Sequence, residues 1–253
     1  MNIILFDEFP ENGHLPAADP RAHHILDVLR LGPGSTFRMG LINKSEGFGT
    51  ILSIVDSGLF LSYTPTATPT LYPLTLICAQ VRPICMKRIL REAVSLGVGR
   101  LILCGSDTGE KSYLSSNLYK TGEYRSYLLD GAMQSAHAGI PEVLFADSVN
   151  GALGLVQSQC SAIEGVRLQG QPNSTPADFI VLDNIVGSEP LSQATLGSPV
   201  VLAVGPERGW SDRERSLFSD SHFRPMLLGS RVLRTETACT VAVSLALSRM
   251  GLL

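Results

Sequence analysis

The sequence predicts an α/β protein in which a parallel sheet, covered by helices on both faces, follows a small all-β domain. From Leu74 onward, apolar runs of strand length alternate with helix-length amphipathic stretches, the pattern of successive βαβ units. Before residue 70 the apolar runs are short and separated by Gly, Pro, Asn and Asp turns, the pattern of a small β-barrel. Between the two regimes lies Thr64-Pro65-Thr66-Ala67-Thr68-Pro69-Thr70, rich in Pro and poor in large apolar groups, which reads as a stiff linker. Two domains are therefore expected, at 1–68 and 72–253, and 253 residues suffice for both.

In the first part strands are expected at Asn2 to Phe6, Thr36 to Ile42, Phe48 to Val55 and Leu59 to Tyr63. Met1 to Phe6 runs at once into Asp7 and Glu8, with neither a basic start nor a long apolar centre. It is read as a first or edge strand and not as a secretion signal. Asp19 to Arg30 is expected to form one amphipathic helix, with Ile25, Leu26, Val28 and Leu29 packed on the barrel and Leu31-Gly32-Pro33-Gly34 ending it. In the second part strands are expected at Leu74 to Ala79, Leu101 to Cys104, Val143 to Phe145, Phe179 to Leu182, Val200 to Val204 and Pro225 to Leu228. Helices alternate with them at Pro83 to Leu96, Tyr124 to Ala136, Val149 to Ser158, Asp212 to Ser219 and from Thr235 onward. Ser211-Asp212-Arg213-Glu214 has capping-box spacing, and Thr235 is the expected N-cap of the last helix, with Glu236 complementing its dipole.

Composition narrows the function classes. At 44% hydrophobic and 17% charged residues the chain is an ordinary globular one. The longest C-terminal apolar stretch, Ala238 to Leu247, is broken by Ser and Thr and is shorter than a bilayer requires. A buried helix and a cytoplasmic protein without a membrane partner are expected. Cys78, Cys85, Cys104, Cys160 and Cys239 form no CxxC pair and are odd in number, so they read as reduced core residues, not as a zinc site or disulfide framework. His23 and His24 are adjacent and hence on different faces, and no metal is expected. A net charge of −3 gives no general attraction to a polyanion. The basic residues are nevertheless clustered: Arg82, Lys87, Arg88 and Arg91 in one segment, and Arg208, Arg213, Arg215, Arg224, Arg231 and Arg234 near the C-terminus.

That second cluster surrounds two loops, Gly205-Pro206-Glu207-Arg208-Gly209-Trp210-Ser211 and Leu228-Gly229-Ser230-Arg231-Val232-Leu233-Arg234-Thr235-Glu236-Thr237-Ala238. Each follows an apolar strand and leads into a helix, so each offers backbone N–H groups beside a helix N-terminus. Singly, each is an ordinary strand-turn-helix junction. Together they describe a small-molecule site built from main chain at the carboxyl end of the sheet. A G-x-G-x-x-G after an early strand, a P-loop and a G-x-S-x-G are all absent from the sequence, which argues against a dinucleotide fold, an NTPase and a nucleophile elbow.

The two segments resemble the signature loops of the 16S ribosomal RNA uridine N3-methyltransferases of the RsmE type, members of the SPOUT superfamily of S-adenosylmethionine enzymes. His24-Ile25-Leu26-Asp27-Val28-Leu29-Arg30 followed by Leu31-Gly32-Pro33-Gly34 is similar to that family's opening motif. The resemblance implies a trefoil-knotted α/β domain preceded by a PUA-like, RNA-binding β-barrel, and a homodimer. It implies S-adenosylmethionine cradled by Val204, Gly205, Pro206, Glu207 and Gly209 of the first loop. From the second loop it implies Leu228, Gly229, Val232, Leu233, Arg234 and Thr235. The implied reaction methylates N3 of a uridine in small-subunit ribosomal RNA, free or in the assembled subunit.

Glu207 and Glu236 are then the candidate acceptors of the N3 proton, and Arg234 the candidate to offset charge on the base oxygens. Pairing of Arg231 and Arg234 with these carboxylates for purely structural reasons is the alternative. Arg21, His24 and Arg30, with Arg82, Lys87, Arg88 and Arg91, are candidate phosphate contacts. The chain departs from the family pattern at three places. Met133-Gln134-Ser135-Ala136-His137 stands where the family usually shows Glu-Gln-Ser-x-Arg, Ser95-Leu96-Gly97-Val98 replaces Glu-Leu-Gly-Val, and Arg208 replaces the second loop glycine. Other readings left open are the same chemistry on another RNA, a catalytically silent RNA-binding paralogue, and an unrelated nucleotide-binding enzyme.

Overall fold

The chain divides into two units, and among the described residues a hydrophobic cluster packs on the sheet of each. The computed structural model describes residues 2–167, 177–185 and 188–253, with 159–167 described by backbone alone. The first unit comprises Met1–Leu71 and Leu128–Ile140, the second Tyr72–Tyr127 and Pro141–Leu253.

The first unit holds β1 (Ile4–Phe6), β2 (His14–Pro16), β3 (Thr36–Leu41), β4 (Ser45–Val55) and β5 (Gly58–Ala67) in one mixed sheet of order β1-β3-β4-β5-β2. The β1–β3 pairing is parallel and the rest are antiparallel. Phe6, Leu15, Ile25, Met39, Ile51 and Leu59 meet in its core. The expected linker is shorter than its composition suggests, because Thr64 to Ala67 continue β5 and pair with β4. The Thr residues suit a pleated strand, and a register shift at Glu46/Gly47 admits Pro65 opposite Gly47.

The expected single helix is also corrected. Asp19 caps α1 (Pro20–His23), its side chain accepting from the Arg21 N–H at 2.8 Å with Pro20 at the first position. A π-helical turn then runs from His24 to Val28. The wider turn breaks the 3.6-residue stripe, so Ile25 is buried while Val28 and Leu29 face solvent. The strand β2 is too short and Pro-terminated to give a pattern. The segment after Ser135 joins this unit through hydrogen bonds. Asn43 brackets Ile140, accepting from its N–H at 2.7 Å and donating to its carbonyl at 3.1 Å, and Glu46 accepts from the Ala138 N–H at 2.9 Å.

The second unit has a seven-stranded, wholly parallel sheet of order β10-β12-β9-β11-β6-β7-β8. Its strands are β6 (Tyr72–Ala79), β7 (Val98–Cys104), β8 (Glu142–Ala146), β9 (Asp178–Leu182), β10 (Glu189–Pro190), β11 (Val200–Val204) and β12 (Arg224–Leu227). The helices are α2 (Pro83–Ser95), α3 (Asn117–Lys120), α4 (Tyr124–Ser135, whose residues from Leu128 belong to the first unit), α5 (Val149–Arg167), α6 (Asp212–Asp220) and α7 (Thr235–Arg249). The alternation read from sequence is thus the alternation found. Val149, Ala152 and Leu153 of α5 and Phe218 of α6 cover one face over Ile77, Ile102 and Val201, and α2 with α7 packs on the other. Parallel strands put their loops at one end, so the segments after β6, β7, β9, β11 and β12 gather there.

Cys78, Cys104 and Cys239 are free and buried, as read, whereas Cys85 is free and half-buried. Cys160 lies outside the residues whose side chains are described. Among the described residues no group of His, Cys, Asp and Glu is arranged to hold a metal ion, and no helix is long and apolar enough to cross a membrane.

Candidate active site

The first loop is anchored at its C-terminal end by Trp210. This residue is 2% exposed; its indole N–H donates to the Leu182 carbonyl at 3.1 Å and its ring stands edge-on to Phe218. Gly205 lies under that ring, where a Cβ would come 3.1 Å from the indole. Gly209 has φ +70°, a left-handed conformation that L side chains rarely adopt. The capping box forms as its spacing predicts: the Ser211 hydroxyl accepts from the Glu214 N–H at 3.2 Å, and Glu214 Oε2 accepts from the Ser211 N–H at 2.8 Å. Glu214 does more than cap, since it is fully buried and its Oε1 accepts the Asp107 N–H at 2.8 Å.

A third segment, after β7, is thereby tied to the first loop. The Thr108 hydroxyl donates to the Gly209 carbonyl at 2.6 Å and the Ser211 hydroxyl to Asp107 at 2.6 Å. Arg213 also bonds Asp107 and, with Ser211, holds its carboxyl below the usual carboxylate range.

The second loop corrects the expected cap. Arg234 occupies the N-cap of α7 without a side-chain cap, and Thr235 is the first helical residue. Thr235 is buried, and its hydroxyl donates to the Gly205 carbonyl at 3.2 Å. The hydroxyl that would have closed its own helix end instead joins the two loops.

Between the loops lies a hollow of about 110 Å³. Val204, Gly205, Pro206, Glu207 and Gly209 line one side and Leu228, Val232, Leu233 and Thr235 the other, with Leu182 and Met226 adding apolar wall. Gly229 and Arg234, expected here, do not line it. Gly229, at φ +137°, turns the chain after β12. Arg234 faces a second hollow of about 630 Å³ with Glu236, Arg82, Arg208 and Tyr113, and Glu207 borders both hollows.

The Glu236 side chain is 13% exposed with Arg88 at 3.9 Å. Among the described residues neither Arg231 nor Arg234 forms an ion pair. Cys85 also lines the larger hollow; burial pushes its thiol up, and the Glu236 carboxylate adds to the shift. Lys87 is engaged with Glu123 at 2.8 Å, which raises its pKa, and Lys87 and Arg91 both stand over the Tyr127 ring. In the first unit Arg21 is bound to Asp19 and lies 4.1 Å from the Phe6 centroid, Arg30 is exposed, and His24 keeps a buried Nε2 without a partner. Thr108, Glu110, Tyr113 and Cys85 were missed by sequence reasoning. Gly105-Ser106-Asp107-Thr108-Gly109, a turn cluster directly after a strand, was the signal available for the first of them.

Residues 68–247 match the family of RNA methyltransferase domains. A ribosomal RNA small subunit methyltransferase E of Treponema pallidum is 34% identical, the alignment covering 98% of this chain and 91% of that protein. A ribosomal RNA small subunit methyltransferase E 1 of Borreliella burgdorferi is 28% identical over 97% of this chain and 96% of its own length. In fold, the chain is similar to a ribosomal RNA small subunit methyltransferase E of Neisseria gonorrhoeae, crystallised with S-adenosyl methionine. The TM-score is 0.71 at 19% identity, over 99% of this chain and 98% of that one. The paired loops after β11 and β12 and this near-complete coverage lead to one conclusion: the chain belongs to the RNA methyltransferase domain family and, within it, to the ribosomal RNA small subunit methyltransferase E group.

Proposed function

We propose that this protein is an S-adenosylmethionine-dependent methyltransferase acting on N3 of a uridine in small-subunit ribosomal RNA. The observation that carries the reading is the Thr235–Gly205 bond, which draws the two loops around one hollow whose border residue, Glu207, also faces a second, larger hollow. The smaller hollow is suited to the cofactor, with apolar walls from Leu182, Val204, Leu228 and Met226 and a main-chain rim. At about 110 Å³ it is smaller than the about 300–1,000 Å³ of small-molecule sites, and it opens to solvent instead of being enclosed. S-adenosylmethionine, when bound, supplies an electrophilic methyl group.

The protein's part is done by its own residues. The larger hollow holds the base, and Glu236 or Glu207 takes the N3 proton as the nitrogen becomes nucleophilic. Arg234 stands on the same wall to offset negative charge on the base oxygens. Positioning in a site that excludes water supplies the remaining acceleration. Arg82 is the phosphate contact nearest the base; Arg88, Arg91 and Lys87 extend along α2, and Arg21, His24 and Arg30 belong to a PUA-like barrel at 1–68 that grips flanking RNA. A trefoil knot in residues 72–253, a homodimer and a cytoplasmic location complete the reading; sedimentation of the purified protein tests the dimer.

Labelled methyl groups should pass from S-adenosylmethionine to unmodified small subunits or their RNA, and mass spectrometry should find them on uridine N3. Cofactor binding without transfer to this RNA would reject the target. The departures at Met133 and His137 favour a second reading, the same chemistry on another RNA. Loss of a different methylated nucleotide in a deletion strain would select it.

A further inference from the structure

A third hollow, of about 340 Å³, lies at the carboxyl ends of β6, β7 and β8 and meets the larger one at Gly109 and Glu110. Its polar groups are incompletely paired. Gln80 is 2% exposed, and its Oε1 accepts from the Tyr119 hydroxyl at 2.6 Å. With Oε1 engaged by that hydroxyl, Nε2 is a buried donor that has no partner. Ser106 Oγ, on the same hollow, is likewise buried and unpartnered. Buried polar groups are almost always paired, and exceptions point to a ligand or ordered water. A space of about 340 Å³ exceeds the roughly 30 Å³ share of one water and falls in the range of organic ligands.

We propose that this hollow receives the base next to the methylated uridine and selects a keto base, uracil or guanine. The inference rests on the methyltransferase reading above. Nε2 of Gln80 and Oγ of Ser106 are donors, and a keto base brings them a carbonyl oxygen. The adjacent ring N–H of the same base finds an acceptor in the Asp147 or Glu110 carboxylate on the rim. Cytosine and adenine present an amino group at that place and leave Nε2 unpaired. A buried site that loses a hydrogen-bond partner discriminates far better than one that loses apolar contact. Single-stranded RNA is read on such base edges. The wall shared with the larger hollow is held by the Thr108–Gly209 and Asp107–Glu214 bonds, so the two bases would sit in a fixed relation.

The test is steady-state methyl transfer to small-subunit RNA carrying each of the four bases at the two positions flanking the target, with wild type, Gln80→Leu and Ser106→Ala. Wild type should prefer uracil or guanine at one flank by about tenfold in kcat/KM, the scale of one base-edge contact. Gln80→Leu should raise KM for RNA by a similar factor and erase that preference, with cofactor heat and kcat little changed; Ser106→Ala should act in the same direction, more weakly. A wild type indifferent to both flanks, or a Gln80→Leu variant that keeps the preference, would overturn the proposal and leave the hollow to water. Should Gln80→Leu not fold, the Ser106→Ala series decides alone. Transfer by wild type to no RNA at all would instead bring down the methyltransferase reading on which this depends.

Discussion

Glu236 and Glu207 differ in how much water they keep, and on the proposed reading this favours Glu236 as the proton acceptor. Glu236 is largely withdrawn from solvent and faces the half-buried Cys85 thiol and the Arg88 guanidinium, whereas Glu207 is exposed on the border of the two hollows. A carboxylate shielded from water is the better-placed base. Glu236→Gln should lower the single-turnover rate by about 10²–10⁴-fold, the usual contribution of a general base, while calorimetry shows unchanged cofactor binding. If Glu207→Gln gives that loss and Glu236→Gln does not, the roles exchange.

At Asp19 a residue-scale effect sets pH dependence. The bonded Arg21 guanidinium holds its carboxyl below the ordinary 3.8, against a smaller opposing effect of burial. The folded pKa is therefore the lower one, so the linkage stabilises above about pH 4 and is lost as pH falls through the lowered value. Asn is as good an N-cap as Asp, so Asp19→Asn removes the charge and keeps the cap. Its stability deficit in chemical denaturation should be present at pH 7 and shrink towards pH 2.

Among the elements, β4 and β5 show how a single atom fixes strand pairing. A Cβ on Gly47 would lie 2.0 Å from the Thr64 carbonyl oxygen and 2.9 Å from the Pro65 Cα, both backbone of the paired strand. Gly47→Ala must push β5 away where its register already shifts, and should cost about 3 kcal/mol or more, the upper range for overpacking. Gly49→Ala, whose Cβ has Phe37 and Met39 side-chain atoms as its nearest neighbours, should cost less; thermal melts of the two variants compare them. The same strand marks the limit of what the sequence discloses. The apolar runs of β6, β7 and β11 were legible because strands buried on both faces need continuous apolar residues. Thr64 to Ala67 hid because composition records what a strand lacks for a core and not the neighbour it pairs with. The π turn after His23 hid because periodicity assumes a constant residue count per turn. At the site, the two loops were legible from their glycines and helix starts. The Gly105 to Tyr113 segment was not, since its role comes from side-chain bonds to residues a hundred positions away.

For the whole molecule, the sequence boundary near residue 70 follows the chain, whereas the first unit also takes in Leu128–Ile140. That segment closes polar and apolar accounts that residues before it leave open. Glu46, 9% exposed, accepts from the Ala138 N–H and lies 3.3 Å from His137 Nε2. Asn43 spends both ends of its amide on Ile140. Gly40 faces Ala138 so closely that a Cβ would come 2.6 Å from the alanine methyl. A fragment ending at Leu71 would lose all three contacts, take the Ile140 backbone from Asn43 and the Ala138 N–H from Glu46, and open apolar surface at Ile3 and Leu5, which border Gly40. Residues 1–71 alone should therefore show weak amide dispersion and a broad, uncooperative melt. The same fragment joined through a flexible linker to residues 128–140 should recover dispersed resonances and a cooperative transition, and a fully cooperative 1–71 fragment would show that the returning segment adds nothing to the first unit's stability.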